Sequence, residues 1–220
     1  MIGAGVETCA LPISAGGFAS ARVTGIDSVW NVSMDLNLAN DETGAPGGGS
    51  AIVQIHDQGA VNVGGSINLF NNGGGEFAHL EVDGGSLTTH SLWSRGTIDF
   101  RDGFITVDGG TFDPGLPGLL VDGVDAADLP TLRLVNGATT VGINESLTIG
   151  ANRSGAIEVQ GGSRLDTEGG ILGAAAGASG HALIRGTDSI WDTGDEALTV
   201  GDAGKGEGVV RDGGQGSSAG

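Results

Sequence analysis

Apolar and polar residues alternate along most of the chain in short runs that end close to a glycine. Typical runs are Leu147-Thr-Ile149, Ile157-Glu-Val159 and Leu198-Thr-Val200, each followed by glycine within two residues. Alternation with a period of two, rich in β-branched residues, predicts β-strands, and no segment sustains the 3.6-residue period of a helix. The pattern therefore predicts an all-β chain with essentially no helix.

A glycine followed by a small or polar residue marks the same point of a longer repeat. The repeat has a period of about 26 residues, which is typical of stacked supersecondary units. The marking glycines are Gly59, Gly85, Gly110, Gly137, Gly162, Gly186 and Gly214. Three short strands and three turns fit into each unit. We therefore expect a single-stranded, right-handed parallel β-helix, or β-solenoid, of about seven to eight coils.

A second, longer repeat overlays the first. The segment that ends at Trp30 matches the segment that ends at Trp191. The two segments are separated by about six coils, and we expect both tryptophans to pack at coil corners. On this pattern, residues 15–112 form degenerate coils and 113–131 an irregular coil with an outward loop. Residues 132–220 form the most regular coils, which we expect to be truncated at the C-terminus.

The first residues differ from the rest of the chain. The ten residues from Gly5 to Ser14 resemble the translation of a common short-read sequencing adapter. We therefore expect residues 1–14 to be a non-native lead-in. Cys9, the single cysteine, lies in this segment and cannot form an internal disulfide.

Charge and composition narrow the range of partners. The chain of 220 residues has 27 Asp and Glu against 9 Lys and Arg, a formal net charge of −18. This charge repels nucleic acid and anionic lipid, so we expect no nucleic-acid partner. No apolar run is long enough for a transmembrane helix, so we expect no membrane insertion. Aromatic residues make up only 4%, which predicts a thin aliphatic core.

The best-defined repeat resembles a known family of exported proteins. The run Gly186-Thr-Asp-Ser-Ile-Trp191, followed by Leu198-Thr-Val-Gly201-Asp-Ala-Gly-Lys-Gly206, is similar to the β-strand repeat of autotransporter passengers and PEP-CTERM-sorted proteins. The resemblance implies a secreted or cell-surface β-solenoid, often a stalk or adhesin-like element. It brings no catalytic residues, and we expect the signal and the anchor to lie outside this fragment.

Two aspartates are the candidates for chemistry. Asp83 and Asp108 follow equivalent strands, and we expect them to occupy the same turn one coil apart, at the spacing of about 5 Å between neighbouring strands. Such a row could bind Ca²⁺ weakly, or supply acid and base to a polysaccharide lyase or hydrolase. Arg95 and Arg101 are the nearest cations for a uronate. Alternatively, Asp-Gly simply favours a turn. The four histidines have no zinc-ligand spacing.

The sequence thus predicts a non-catalytic, exported, structural or adhesin-like repeat protein without a cofactor. Its expected partners are a surface polysaccharide or another copy of the rod joined end to end. The alternative is a carbohydrate-active parallel β-helix enzyme that uses the stacked aspartates. A third option, an ion- or ice-binding face, would need threonine ladders of regular phase, which the chain lacks.

Overall fold

The structure is a computed structural model that describes residues 9–11 (backbone only), 17–39, 49–71, 77–115, 120–141 and 146–219. Within these ranges all regular secondary structure is β-strand, which confirms the all-β prediction. The first eleven strands are β1 Cys9–Leu11, β2 Phe18–Thr24, β3 Val29–Val32, β4 Leu36–Leu38, β5 Ser50–His56, β6 Ala60–Leu69, β7 Ala78–Asp83, β8 Gly85–Ser94, β9 Thr97–Phe100, β10 Gly103–Asp108 and β11 Thr111–Asp113. The others are β12 Thr131–Val135, β13 Thr139–Thr140, β14 Leu147–Ile149, β15 Ser154–Gln160, β16 Arg164–Asp166, β17 Gly170–Leu172, β18 Ser179–Arg185, β19 Ile190–Asp192, β20 Leu198–Val200, β21 Lys205–Arg211 and β22 Gln215–Ser217.

Neighbouring strands run parallel throughout the sheets. One sheet contains β2, β5, β7 and β9, a second contains β14, β17 and β20, and the other fifteen strands form a third. The large sheet has two rows. Row A joins β3, the first half of β6, the first half of β8, β10, β12, β15, β18 and β21. Row B joins β4, the second halves of β6 and β8, β11, β13, β16, β19 and β22.

The alternating pattern of each strand separates a core side from an outward side. In β5, Ala51, Val53 and Ile55 are fully buried, whereas the residues between them are partly exposed. Like residues lie over like in successive strands. Row A stacks five such aliphatic side chains in register: Val61, Leu87, Ile105, Leu132 and Ile157. Each fully buried side chain of this size contributes about 1.5–3 kcal/mol relative to an exposed one.

The length of chain between register partners is not constant. Ser154 and Ser179 in row A are separated by close to the predicted period. Gly85 and Gly103, partners in the same row, are separated by a much shorter length of chain. The approach there is so close that a Cβ at Gly103 would collide with the carbonyl oxygen of Gly85, and the φ of Gly103 is +91°. This position therefore requires glycine.

One circuit of the chain runs from a strand to its neighbour in the same row. The circuit from Gly85 to Gly103 is short because β9 is an additional strand within one sequence repeat. It returns to the four-stranded sheet and pairs with β7 before β10 enters row A. The prediction that Gly85 and Gly110 mark successive coils is therefore wrong, since Gly85 precedes a row A strand and Gly110 a row B strand. From β9 onward, the strand that follows each marking glycine lies in row B, whereas before β9 it lies in row A.

The two matching tryptophan segments illustrate this shift. Trp30 lies in β3 of row A, opposite Val61, whereas Trp191 lies in β19 of row B, opposite Leu165. Trp191 is 2% exposed, and its Nε1 donates to Thr167 Oγ1 at 3.0 Å. Both tryptophans are inside strands, so the prediction that they occupy corners is wrong.

Two segments bear on the expected division of the chain. Within the expected lead-in, residues 1–8 and 12–14 lie outside the described residues, and the backbone of Cys9–Leu11 pairs with Leu36–Leu38. Within 113–131, an acidic loop projects and is closed by Asp128, whose carboxylate accepts from the amides of Val124 and Asp125 at 3.1 and 2.6 Å. The foreign origin of the lead-in and the three domain boundaries stay predictions.

Candidate functional site

Asp83 and Asp108 lie in different sheets, so the predicted stack of these carboxylates is wrong. Asp83 ends β7 in the four-stranded sheet, whereas Asp108 ends β10 in row A, opposite Val135. The extra strand β9 separates them. The Asp108 carboxylate instead accepts a hydrogen bond from Asn136 Nδ2 at 2.7 Å. Across the described ranges, no group of three or more His, Cys, Asp or Glu could hold a metal ion.

The outward side of the four-stranded sheet holds a compact set of charged groups around Glu81. We call Gln54, His56, Glu81, Asp99 and Arg101 the Glu81 cluster. Register places Glu81 on β7 between Gln54 on β5 and Asp99 on β9. Gln54 Nε2 donates to Glu81 Oε2 at 2.6 Å, and Arg101 Nη1 lies 3.3 Å from Glu81 Oε1. Arg101 Nη2 also donates to Asp99 Oδ2 at 2.6 Å.

Glu81 is only 8% exposed, and its environment keeps the carboxylate charged. Burial raises the pKa of Glu81, but the Gln54 hydrogen bond and the nearby His56 and Arg101 together lower it by more, and the net pKa lies below the ordinary glutamate value. His56 Nε2 is 3.5 Å from Glu81 Oε2, which is too long for a good hydrogen bond.

This arrangement is unsuited to general acid catalysis near neutral pH. A catalytic acid of this kind needs a raised pKa, as in an apolar pocket, and Glu81 has the opposite shift. Its oxygens also already accept from Gln54 and pair with Arg101. The cluster therefore fits a structural role, in which the Glu81 carboxylate connects β7 to Gln54 on β5 and to Arg101 after β9.

An aromatic and charged group lies on the outward side of row B. The ring centroids of Phe70 and Trp93 are 5.4 Å apart, and the Arg95 guanidinium lies 4.5 Å from the Trp93 centroid. Arg95 also donates to both carboxylate oxygens of Asp113, each at 3.2 Å. Both arginines considered as uronate-binding cations, Arg95 and Arg101, are therefore already paired with carboxylates.

A shallow cavity of about 440 Å³ lies where β6 and β8 pass from row A into row B. Its lining includes Asn62, Thr88, His90 and Asp108. Asn62 Nδ2 donates to Asn31 Oδ1 at 2.9 Å, which continues the polar surface toward the preceding strand. Amide, hydroxyl and imidazole groups of this kind match the hydroxyl groups of a sugar.

A serine, a histidine and a glutamate are joined by hydrogen bonds on the outward side of row A. Ser179 Oγ lies 2.9 Å from His181 Nε2, and His181 Nδ1 lies 3.2 Å from Glu207 Oε2. Ser179 and His181 point outward from β18, and Glu207 is the register partner of His181 on β21.

Sequence reasoning missed both Glu81 and the Ser179–His181–Glu207 group. Alternation alone places these side chains outward, as it does many others. Gln54 lies about one circuit from Glu81, and Glu207 about one circuit from His181, so only the register of the strands brings each pair together. The separation of His181 and Glu207 along the chain equals the predicted period, and it is the one signal that could have indicated a contact.

Comparisons with protein-family models, curated proteins and solved structures gave no match to this chain. A separate search of the described residues found no helix that is long and apolar enough to span a membrane.

Proposed function

We propose that the chain is a right-handed parallel β-solenoid of about seven to eight coils, with about 26 residues in most coils. It serves as a structural, adhesin-like part of an exported or cell-surface protein. The parallel pairing of strands one circuit apart supports the solenoid. Its right hand is expected because parallel crossover connections are right-handed in nearly all known cases. The resemblance of its repeat to exported repeat proteins supports the location.

Side-chain contacts between successive circuits are the observation that favours a structural role. Gln54 donates to Glu81 at 2.6 Å, and Arg133 Nε donates to Glu158 at 3.1 Å. Arg164 Nη2 donates to Asp192 at 2.8 Å. Outward polar groups on three sheet surfaces thus join one circuit to the next, as expected if the stack itself is the functional object.

The adhesin-like part of the proposal rests on the region where β6 and β8 pass from row A into row B. The shallow cavity beside Asn62 and Thr88 offers hydrogen-bonding groups. Trp93, partly exposed on row B, offers an aromatic surface. A net charge of −18 disfavours anionic polymers, so the partner that fits is a neutral surface polysaccharide. A second copy joined end to end is the alternative partner.

The polysaccharide-cleaving alternative has less support. It requires paired carboxylates near free cations, and Asp83 and Asp108 lie in different sheets. The arginines nearest to them in sequence, Arg95 and Arg101, are paired with Asp113 and Asp99.

Co-sedimentation with insoluble neutral and anionic polysaccharides tests the binding proposal. We expect the full chain to bind a neutral polymer, and Trp93→Ala to weaken the apparent affinity at least about fivefold, because a central aromatic contact contributes about 1–2 kcal/mol or more. Phe18→Ala is the matched control, since Phe18 is an exposed aromatic of the four-stranded sheet. Equal binding by the Trp93 variant, or a preference for the anionic polymers, would contradict the proposal. Concentration-dependent association in sedimentation velocity would favour the end-to-end partner.

A further inference from the structure

The Ser179, His181 and Glu207 side chains are connected in the order of a hydrolytic triad. The serine hydroxyl meets Nε2 of the histidine at 2.9 Å, and the carboxylate meets Nδ1 at 3.2 Å. We propose that these residues form a site that hydrolyses carboxylic esters. This activity goes beyond the structural and adhesin-like function proposed above and does not depend on it.

The carboxylate fixes the state of the ring. Because Glu207 has only acceptor atoms when ionised, the hydrogen bond to Nδ1 requires a proton on that nitrogen. The neutral ring then has its lone pair on Nε2, directed at the Ser179 hydroxyl. His181 is therefore in the tautomer that a general base for serine needs.

The strands hold the three side chains in place. Ser179 and His181 are two positions apart on β18 and therefore share one side of the sheet. Glu207 lies directly opposite His181 on β21. Sites built on strands are more precise than sites built on loops. The His181 and Glu207 side chains are 45% and 65% exposed, so a substrate can reach them from solvent.

The neighbouring residues indicate how an ester would be stabilised. Lys205 is the register partner of Ser179 on β21, and neighbouring strands lie about 4.8 Å apart. Its ammonium can reach the carbonyl oxygen of an ester at Ser179 and stabilise the oxyanion. On the other side of His181, Leu183 and Val209 form an apolar pair on adjacent strands. The surface is open, which suits an ester on a large molecule, such as an O-acyl group on a polymer.

The reaction balances with water as the co-substrate. Ser179 Oγ attacks the ester carbon while its proton moves to His181 Nε2. The carbonyl is restored, the bond to the alkoxy group breaks, and the alcohol leaves with the proton from His181. Water then attacks the acyl-serine and gives its proton to His181. The acid is released as the Ser179 hydroxyl is reformed.

Hydrolysis of p-nitrophenyl acetate by the full chain tests the proposal. We expect turnover above that of free imidazole at the same concentration, and a fall of kcat/KM of roughly 10²-fold in Ser179→Ala and in His181→Ala. Lys205→Met should lower kcat more than it raises KM. Ser154→Ala is the matched control, because Ser154 is the register partner of Ser179 on β15 and should leave the rate unchanged.

A fluorophosphonate probe gives a readout that does not depend on turnover. Serine attack on phosphorus displaces fluoride and leaves a stable phosphonyl ester, which peptide mass spectrometry should locate at Ser179 and not at Ser154. Circular dichroism of each variant verifies the fold. The proposal is overturned if Ser179→Ala keeps the wild-type rate, if the wild-type rate equals the imidazole blank, or if Ser179 stays unlabelled.

Discussion

Glu81 shows how a single side chain can connect several strands of a sheet. Its carboxylate lies on β7 but contacts Gln54 from β5 and Arg101 beyond β9, so it connects three successive strands. A charge that is removed from water is tolerated only when its partners satisfy it, and losing one partner then costs more than an exposed ion pair contributes. Glu81 is therefore the residue at which a polar substitution should affect stability most clearly.

We predict that Glu81→Gln lowers the free energy of unfolding at pH 7 by about 1–3 kcal/mol, because it removes a charge-assisted set of hydrogen bonds. The lowered pKa of Glu81 means that its contribution is present above the unfolded pKa of about 4.3 and is lost as the pH falls through the folded pKa. Urea unfolding should show the difference from wild type at pH 7 and its disappearance in acid.

Glu158→Gln is the control for this prediction. Glu158 pairs with Arg133, but both side chains are more exposed, at 26% and 33%. Its substitution should cost less than about 1 kcal/mol. An equal loss in the two variants, or a Glu81 effect that does not change with pH, would contradict the argument.

The importance of Glu81 could not be predicted from its place in the sequence. Alternation in the segment Ala78–Asp83 correctly indicates that Glu81 faces outward. Its partners include His56 from β5 and Arg101, which follows β9. The sequence therefore predicted the side of the strand but not the neighbours that determine its chemistry.

At the scale of elements, β9 is the feature that departs from the repeat. The alternating runs and the turn glycines predict the strand type, and the period of about 26 residues predicts the spacing of most register partners. Three strands in each repeat, however, leave no place for β9. The short segment Thr97–Phe100 alternates like any other strand. The residues of β9 do not indicate whether it belongs to the same circuit as β8 or begins a new one. Its pairing with β7 decides this.

The close approach of Gly103 to Gly85 makes this junction sensitive to substitution. We predict that Gly103→Ala lowers the unfolding free energy by several kcal/mol, because the new Cβ meets backbone in addition to an unfavourable positive φ. Gly137→Ala is the control: its φ is +85°, but no atom lies within 4 Å of the added Cβ, so only the conformational cost of about 1–2 kcal/mol applies. Thermal unfolding of both variants tests the difference. Equal losses would mean that the contact in the structure is not tight.

At the scale of the whole molecule, the excess of acidic charge destabilises the compact state. The chain has a net charge of −18, and several of its few cations already pair with carboxylates. The remaining carboxylates repel one another in the compact state. Glu168 and Glu196, for example, line the same shallow cavity beside β17.

We predict that raising NaCl from about 10 mM to about 500 mM increases the melting temperature by several degrees, because salt screens this repulsion. The double variant Glu168→Gln/Glu196→Gln should be more stable than wild type at low salt and should gain less from added salt. Calorimetry at the two salt concentrations measures both effects. A melting temperature that falls with salt would show that ion pairs outweigh the repulsion.

The additional strand β9 also determines the row in which each sequence motif lies. Copies of one sequence motif before and after β9, such as those around Trp30 and Trp191, belong to different rows of the large sheet. Gain or loss of a single strand would thus transfer every downstream motif to a different row at once, with no change in the motifs themselves.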